Sequence, residues 1–148
     1  MPCEHCVSRR AFLATAVGAT ALATLSGCGD GLVANPRVLE ALPNGPAVIK
    51  VADFPGLATP GFLVRIPNTA VAVKRVDATT FDALSMICTH QGCQTNIVNG
   101  QRFDCPCHGS RFDVDGAVIN GPTTGDTIGP LAKLTATYNA ATDELTIS

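Results

Sequence analysis

Cys88-Thr89-His90-Gln91-Gly92-Cys93, then eleven residues, then Cys105-Pro106-Cys107-His108-Gly109-Ser110-Arg111-Phe112: these two boxes hold four of the chain's seven cysteines and two of its three histidines. The remaining ones, Cys3, Cys6, Cys28 and His5, all fall within the first 28 residues. Each box offers one Cys-His pair and keeps one further cysteine. Two thiolates and two imidazoles suit zinc or an iron–sulfur cluster. A zinc site of that composition usually draws both cysteines from one box and both histidines from a helix. Here each box mixes the two donor types, and no helical pattern follows. A cluster of two irons needs two ligands on each iron. One cysteine and one histidine per loop supply them if the loops face each other, the cysteines taking one iron and the histidines the other.

The boxes resemble the Cys-X-His-X-X-Cys and Cys-X-X-His elements of the Rieske iron–sulfur proteins, and with their flanking strands the resemblance covers residues 85–122. It implies one [2Fe-2S] cluster per chain, with Cys88 and Cys105 on one iron and His90 and His108 on the other. It also implies a disulfide between Cys93 and Cys107. Such a bridge, closing a loop of about 15 residues, is worth on the order of 3 kcal/mol in the chain-entropy model and needs an oxidising compartment. The alternative of another class is a structural zinc-binding domain.

The 148 residues suffice for one domain. A formal charge of −2 points to no nucleic acid partner and no strongly anionic surface. Residues 1–28 read as a targeting segment. Ser8-Arg9-Arg10-Ala11-Phe12-Leu13 resembles a twin-arginine export signal, and Leu25-Ser26-Gly27-Cys28 resembles a bacterial lipobox whose cysteine, Cys28, carries the lipid. The apolar part between them is weak for a membrane span, which needs about 20 apolar residues. The rival reading is an uncleaved signal that serves as a single N-terminal anchor. Either way the expected location is the periplasm, or the outer face of the bacterial cytoplasmic membrane. The twin-arginine route exports folded proteins, so a cluster can be inserted before transport. The Cys3-Glu4-His5-Cys6 element carries no function here.

Residues 29–46, with Asn35-Pro36 and Pro43-Asn44-Gly45-Pro46, read as a linker. Residues 47–148 then form the cluster domain, with its cluster-binding subdomain at 85–122. Short strands broken by turns are expected at 47–51, 61–66, 69–74, 81–87, 95–97, 102–104, 111–113, 117–119, 133–138 and 145–147. Asn99-Gly100 and Asp115-Gly116 tolerate positive φ and sit between strand pairs as hairpin turns. Asp143-Glu144 turns the last hairpin. No segment after residue 46 holds a helical period. The fold class is therefore all-β: an antiparallel sandwich or barrel base which, by the resemblance, carries a small inserted cluster-binding subdomain.

Cluster potential depends on charge, burial and hydrogen bonds to sulfur. Ser110 stands where the family's higher-potential members place a serine that donates to a bridging sulfide. The family's tyrosine two positions on, a donor to a ligand cysteine, is Phe112 here. A potential below the mitochondrial-type subunits and above the oxygenase-type ferredoxins follows. Gln91 replaces a leucine that often shields the cluster and lines the quinol contact, which argues against quinol docking. Gly121-Pro122 resembles the start of a proline loop over the cluster's third side. Reduction of such a centre favours proton uptake at His90 and His108.

One-electron transfer at a membrane is the expected function, by a stand-alone carrier or by the iron–sulfur subunit of a larger oxidoreductase. The redox partner is then a cytochrome, a quinol-oxidising subunit or a molybdenum subunit, as in quinol–cytochrome c reductases and arsenite oxidases. A mononuclear oxygenase iron needs two more histidines and a carboxylate. Once the signal is removed, only His90 and His108 remain, which excludes that activity for this chain alone.

Overall fold

A computed structural model describes residues 41–148. Residues 1–40, which include the segment read as a targeting signal with Cys28 and most of the expected linker, lie outside the described residues. The end of that linker enters the core: Ala41 and Leu42 are buried, and the Ala41 carbonyl accepts from Ala70 N at 2.9 Å.

Eleven short strands are described. β1 (Ala47–Lys50), β10 (Ala136–Asn139) and β11 (Glu144–Ile147) make one antiparallel sheet in the order β1-β11-β10. β2 (Val64–Ile66), β3 (Val71–Arg75), β4 (Phe81–Ser85) and β9 (Lys133–Leu134) make a second. β5 (Asn96–Val98), β6 (Arg102–Asp104), β7 (Arg111–Asp113) and β8 (Val118–Asn120) make a third, joined in sequence order. β11 alternates, with Leu145 and Ile147 buried between more exposed residues, the period-two pattern of a half-buried strand. β3 is covered on both faces: Val71, Ala72, Val73 and even Lys74 are buried.

The run 133–138, expected as one strand, is two. The chain breaks at Thr135, where β9 pairs with β4 in one sheet and β10 with β11 in the other. Thr135 and Ser148 exchange backbone hydrogen bonds of 2.8 and 3.0 Å at the crossing. An unbroken alternation of polar and apolar residues cannot reveal that a strand changes partners midway. Of the run 61–66, expected as one strand, residues 61–63 fall outside it: Gly61 lies in a turn, and β2 begins at Val64.

The third sheet is inserted between β4 and β9, which are neighbours in the second. Alternating strand directions put its two tight turns at one end and its three longer connections at the other. Both turns dock on the base. Asn99 and Gly100 take φ of 52° and 68°, the left-handed pair of a type I′ hairpin. Gly100 O accepts from Leu63 N at 2.9 Å. A Cβ on Gly100 would lie 2.2 Å from the Phe62 ring, so a side chain here would push the sheet off its base. At the second turn, Gly116 packs against Leu84 and Leu131, and Leu131 N donates to Gly116 O at 2.8 Å. Between the ends, Phe103 and Phe112 face each other across β6 and β7, both fully buried.

An ion pair ties the second turn to β3. The buried Lys74 ammonium donates to Asp115 and lies 3.5 Å from Asp82. Burial pulls Lys74 down, but the Asp115 and Asp82 carboxylates outweigh it and leave it above its ordinary value. The Lys74 hydrogen bond in turn holds the Asp115 carboxyl below the usual range. Asp104, held by Arg102, is shifted the same way. A carboxyl depressed by folding contributes stability above its unfolded pKa of about 4, and that contribution disappears as pH falls through the folded value. The raised Lys74 contributes below its unfolded value of about 10.4 and loses this as pH rises through the folded one. Asp115 is largely exposed, so its share is at most about 1 kcal/mol after solvent screening. Urea melts of the wild type should therefore show a midpoint that drops below about pH 4, and Asp115→Asn should flatten that acid limb. An unchanged limb would remove the ion pair from the account.

Candidate metal centre

Three connections emerge from the free end of the inserted sheet, and the two boxes occupy two of them. Loop 1, residues 88–93, precedes β5, and loop 2, residues 105–110, joins β6 to β7. The loops are built alike. Cys88 N donates to Cys93 O at 2.8 Å, and Cys105 N donates to Ser110 O at 2.8 Å. Gly92 N donates to Cys88 O at 3.0 Å, and Gly109 N donates to Cys105 O at 3.1 Å. The fifth residue of each loop has φ above 70°, 76° at Gly92 and 73° at Gly109, which a side chain would strain. Thr95 closes the root of loop 1, where its N and Oγ1 both donate to Met86 O at 2.7 and 2.9 Å.

The loops are stapled together. Cys93, last in loop 1, is bonded to Cys107, third in loop 2, with an S–S distance of 2.02 Å and a Cα–Cα distance of 6.5 Å. The pairing expected from the family is therefore present. It leaves Cys88 and Cys105 as the free cysteines among the described residues, both buried. Cys105 Sγ lies within 4.8 Å of both disulfide sulfurs. Bonded sulfurs have no thiolate to offer, so that trio is not itself a metal site.

The two histidines meet edge to face, ring centroids 4.7 Å apart. Nδ1 of each is buried and has no hydrogen-bond partner. Buried imidazole nitrogens are rarely left unpaired without a reason. The free thiols adjoin: burial pushes the Cys88 thiol up, and the neighbouring Cys105 adds to this, against a hydrogen bond from the His90 backbone. A cation that arrives at cysteine ligands displaces their protons and takes them as thiolates. Ser110 is wholly buried. Its Oγ stands near enough to favour the Cys88 thiolate, yet it makes no hydrogen bond of proper geometry. Phe112, which stands where the family has a tyrosine, is fully buried.

Sequence reasoning missed the third loop's polar grip. Residues 121–130 lean over both boxes. Thr123 N donates to His108 O at 2.8 Å, and Thr89 Oγ1 donates to Gly129 O at 2.7 Å. Asp126 Oδ2 lies 2.9 Å from His90 Nε2 and accepts from Thr124 Oγ1 at 2.7 Å. The Thr124 hydroxyl, then His90, hold the Asp126 carboxyl below its usual range. Thr123-Thr124-Gly125 is an ordinary turn in sequence, and nothing in it announces an aspartate 36 residues away from its histidine.

Two buried free thiols and two imidazoles with buried, unpartnered Nδ1 atoms, set between disulfide-linked loops of an all-β domain, are a donor set suited to an iron–sulfur protein. The chain belongs to the Rieske [2Fe-2S] domain family, which matches residues 46–139. It is 31% identical over 140 residues to the cytochrome b6-f complex iron-sulfur subunit of Synechococcus sp. (strain JA-3-3Ab), covering 82% of this chain and 76% of that one. To the subunit of the same name from Prochlorococcus marinus it is 35% identical over 81 residues, covering 54% of this chain. The chain spans only 42% of the length of that relative. Among solved structures it is similar to a cyanobacterial plasma membrane Rieske protein from Synechocystis, with 27% identity and a TM-score of 0.44, covering 58% of this chain and 83% of that one. The cofactor is thus a [2Fe-2S] cluster, a one-electron carrier, and the zinc alternative falls.

The disulfide joins loops that have little core between them. Its loss releases a loop of about 15 residues, and Cys107→Ser should lower unfolding stability by about 3 kcal/mol. Denaturant titration of oxidised wild type and variant checks this; equal midpoints would mean that the third loop, not the bridge, holds the boxes together.

Proposed function

We propose that this chain is an exported, membrane-attached Rieske protein that passes single electrons between redox proteins. In this reading Cys88 and Cys105 bind one iron through sulfur, and His90 and His108 bind the other through Nδ1. The observation that carries it is the pair of buried, unpartnered Nδ1 atoms on rings 4.7 Å apart, beside two buried free thiols. The cluster supplies a one-electron ferric/ferrous couple. The chain's residues hold it, exclude water from its sulfur side and present the imidazole edges outward.

Export by the twin-arginine route is read from Arg9-Arg10, and attachment from a lipid on Cys28 or an N-terminal anchor. Among the described residues no helix is long and apolar enough to cross a membrane. A cytochrome-containing complex is the partner that the names of the relatives favour, as in the cytochrome b6-f subunits. A quinol–cytochrome c reductase role, with quinol oxidised at the imidazole edge, is the second reading. The exposed amide of Gln91, where that contact favours leucine, weighs against it. Mass spectrometry of membrane-extracted protein distinguishes a diacylated Cys28 from an intact N-terminus.

Alanine at Cys88, His90, Cys105 or His108 should abolish the low-temperature EPR signal of the reduced protein, while Thr95→Ala keeps it. A His90→Ala or His108→Ala protein with the wild-type signal would refute the ligand assignment. The unpartnered Ser110 hydroxyl would give a bound cluster a donor on its sulfur side, worth about 1.5 kcal/mol, or roughly 60 mV for a one-electron couple. Ser110→Ala should lower the reduction potential by about that amount; a potential that stays put or rises would mean the hydroxyl donates elsewhere.

A further inference from the structure

The Asp126–His90 contact has chemical content beyond holding a loop. An ionised carboxylate only accepts hydrogen bonds. At 2.9 Å from Asp126 Oδ2, His90 Nε2 must therefore carry the proton. A neutral imidazole has one protonated nitrogen, so Nδ1 is left with its lone pair bare. That is the same Nδ1 that is buried without a partner. The two observations are independent, one on each side of the ring, and they agree on one tautomer. Asp126 is itself fixed by the Thr124 hydroxyl at 2.7 Å, and its loop is tied to loop 1 through Thr89 and to loop 2 through Thr123. His108 shares the bare, buried Nδ1, but no carboxylate is described on its Nε2.

We propose that Asp126 is a positioning residue for His90: it selects the tautomer that presents Nδ1 inward, fixes the ring plane, and lowers the reduction potential of the centre. This rests on the assignment of His90 as a ligand. The carboxylate acts in two ways in the same direction. By drawing on the Nε2 proton it makes the imidazole a stronger donor to the metal, and its negative charge beside the ring favours the more oxidised, more positive state. The two histidines are thereby made unequal. His90 has its outer nitrogen engaged within the chain, so an external acceptor finds that proton already donated, and the His108 edge is the one left for a partner.

The test is a redox titration, followed by circular dichroism or EPR, of the wild type, Asp126→Asn and Asp126→Glu in the full chain. Asp126 is exposed and outside the core, so the substitutions leave the fold intact. Asn is isosteric and still accepts from Nε2 but has no charge; Glu keeps the charge on a longer arm. The expected result is a potential raised in Asp126→Asn, with Asp126→Glu staying nearer the wild type and all three showing the same g values. Thr124→Val, which frees the carboxylate without removing it, should move the potential in the same direction by less. An intact spectrum with no change of potential in Asp126→Asn overturns this inference alone, as does an equal shift in Asn and Glu. A spectrum in the wild type without mixed sulfur and nitrogen ligation overturns the ligand assignment, and this inference with it.

Discussion

Strand parity governs this molecule. In a four-stranded antiparallel sheet whose strands run in sequence order, the connections fall alternately at opposite ends. Two tight hairpins at Asn99-Gly100 and Asp115-Gly116 take one end, so the segments before β5, between β6 and β7, and after β8 must share the other. The cluster boxes lie on the first two and the third loop on the last. No long-range recognition is needed to bring residue 88 near residue 105; the pairing of β5 with β6 across the Asn99-Gly100 turn accomplishes it. The same geometry explains the docking. The hairpin end is small and glycine-containing because it presses on Phe62, Leu84 and Leu131, with Lys74 pinning Asp115.

At the free end the two loops repeat one backbone design: a hydrogen bond from first to sixth residue, another from fifth to first, and a glycine with positive φ at the fifth position. What differs is the placement of side chains on that shared frame. Histidine stands third in loop 1 and fourth in loop 2, and the spare cysteine stands sixth in loop 1 and third in loop 2. That offset lets Cys93 reach Cys107 while the rings of His90 and His108 meet. A disulfide is well suited here, because the space between the loops is filled by donor atoms that cannot pack as a core. The polar atoms left bare on its inner side, two Nδ1 and one hydroxyl, carry a desolvation cost of the order of 1–3 kcal/mol each when unpaired, which a bound cofactor offsets.

Much of this was open to reading from the residues. The two boxes carry their donor types openly, and Asn-Gly and Asp-Gly between short alternating runs mark both hairpins of the inserted sheet. The strand assignments held best where one face is buried and the other wet, as along β6 and β7. They blurred where a strand changes sheets at Thr135, since a backbone crossing leaves no trace in polarity, and at 61–63, where Leu63 is buried without belonging to a strand. Asp126 was invisible for a different reason. Its role depends on a contact across 36 residues between two loops, and an aspartate in a Gly-Pro-Thr-Thr-Gly context reads as solvated turn chemistry. Ala41 and Leu42 were likewise hidden by the Pro-rich segment that follows them, although both are buried in the base.

The asymmetry of ligation is the claim from which the rest descends, and Mössbauer spectroscopy of iron-57-enriched, reduced protein addresses it most directly. The account predicts two irons and two acid-labile sulfides per chain, with a ferric site of sulfur ligation and a separate ferrous site of larger isomer shift and nitrogen ligation. A colourless protein with one zinc per chain, or two irons in indistinguishable all-sulfur sites, would contradict it.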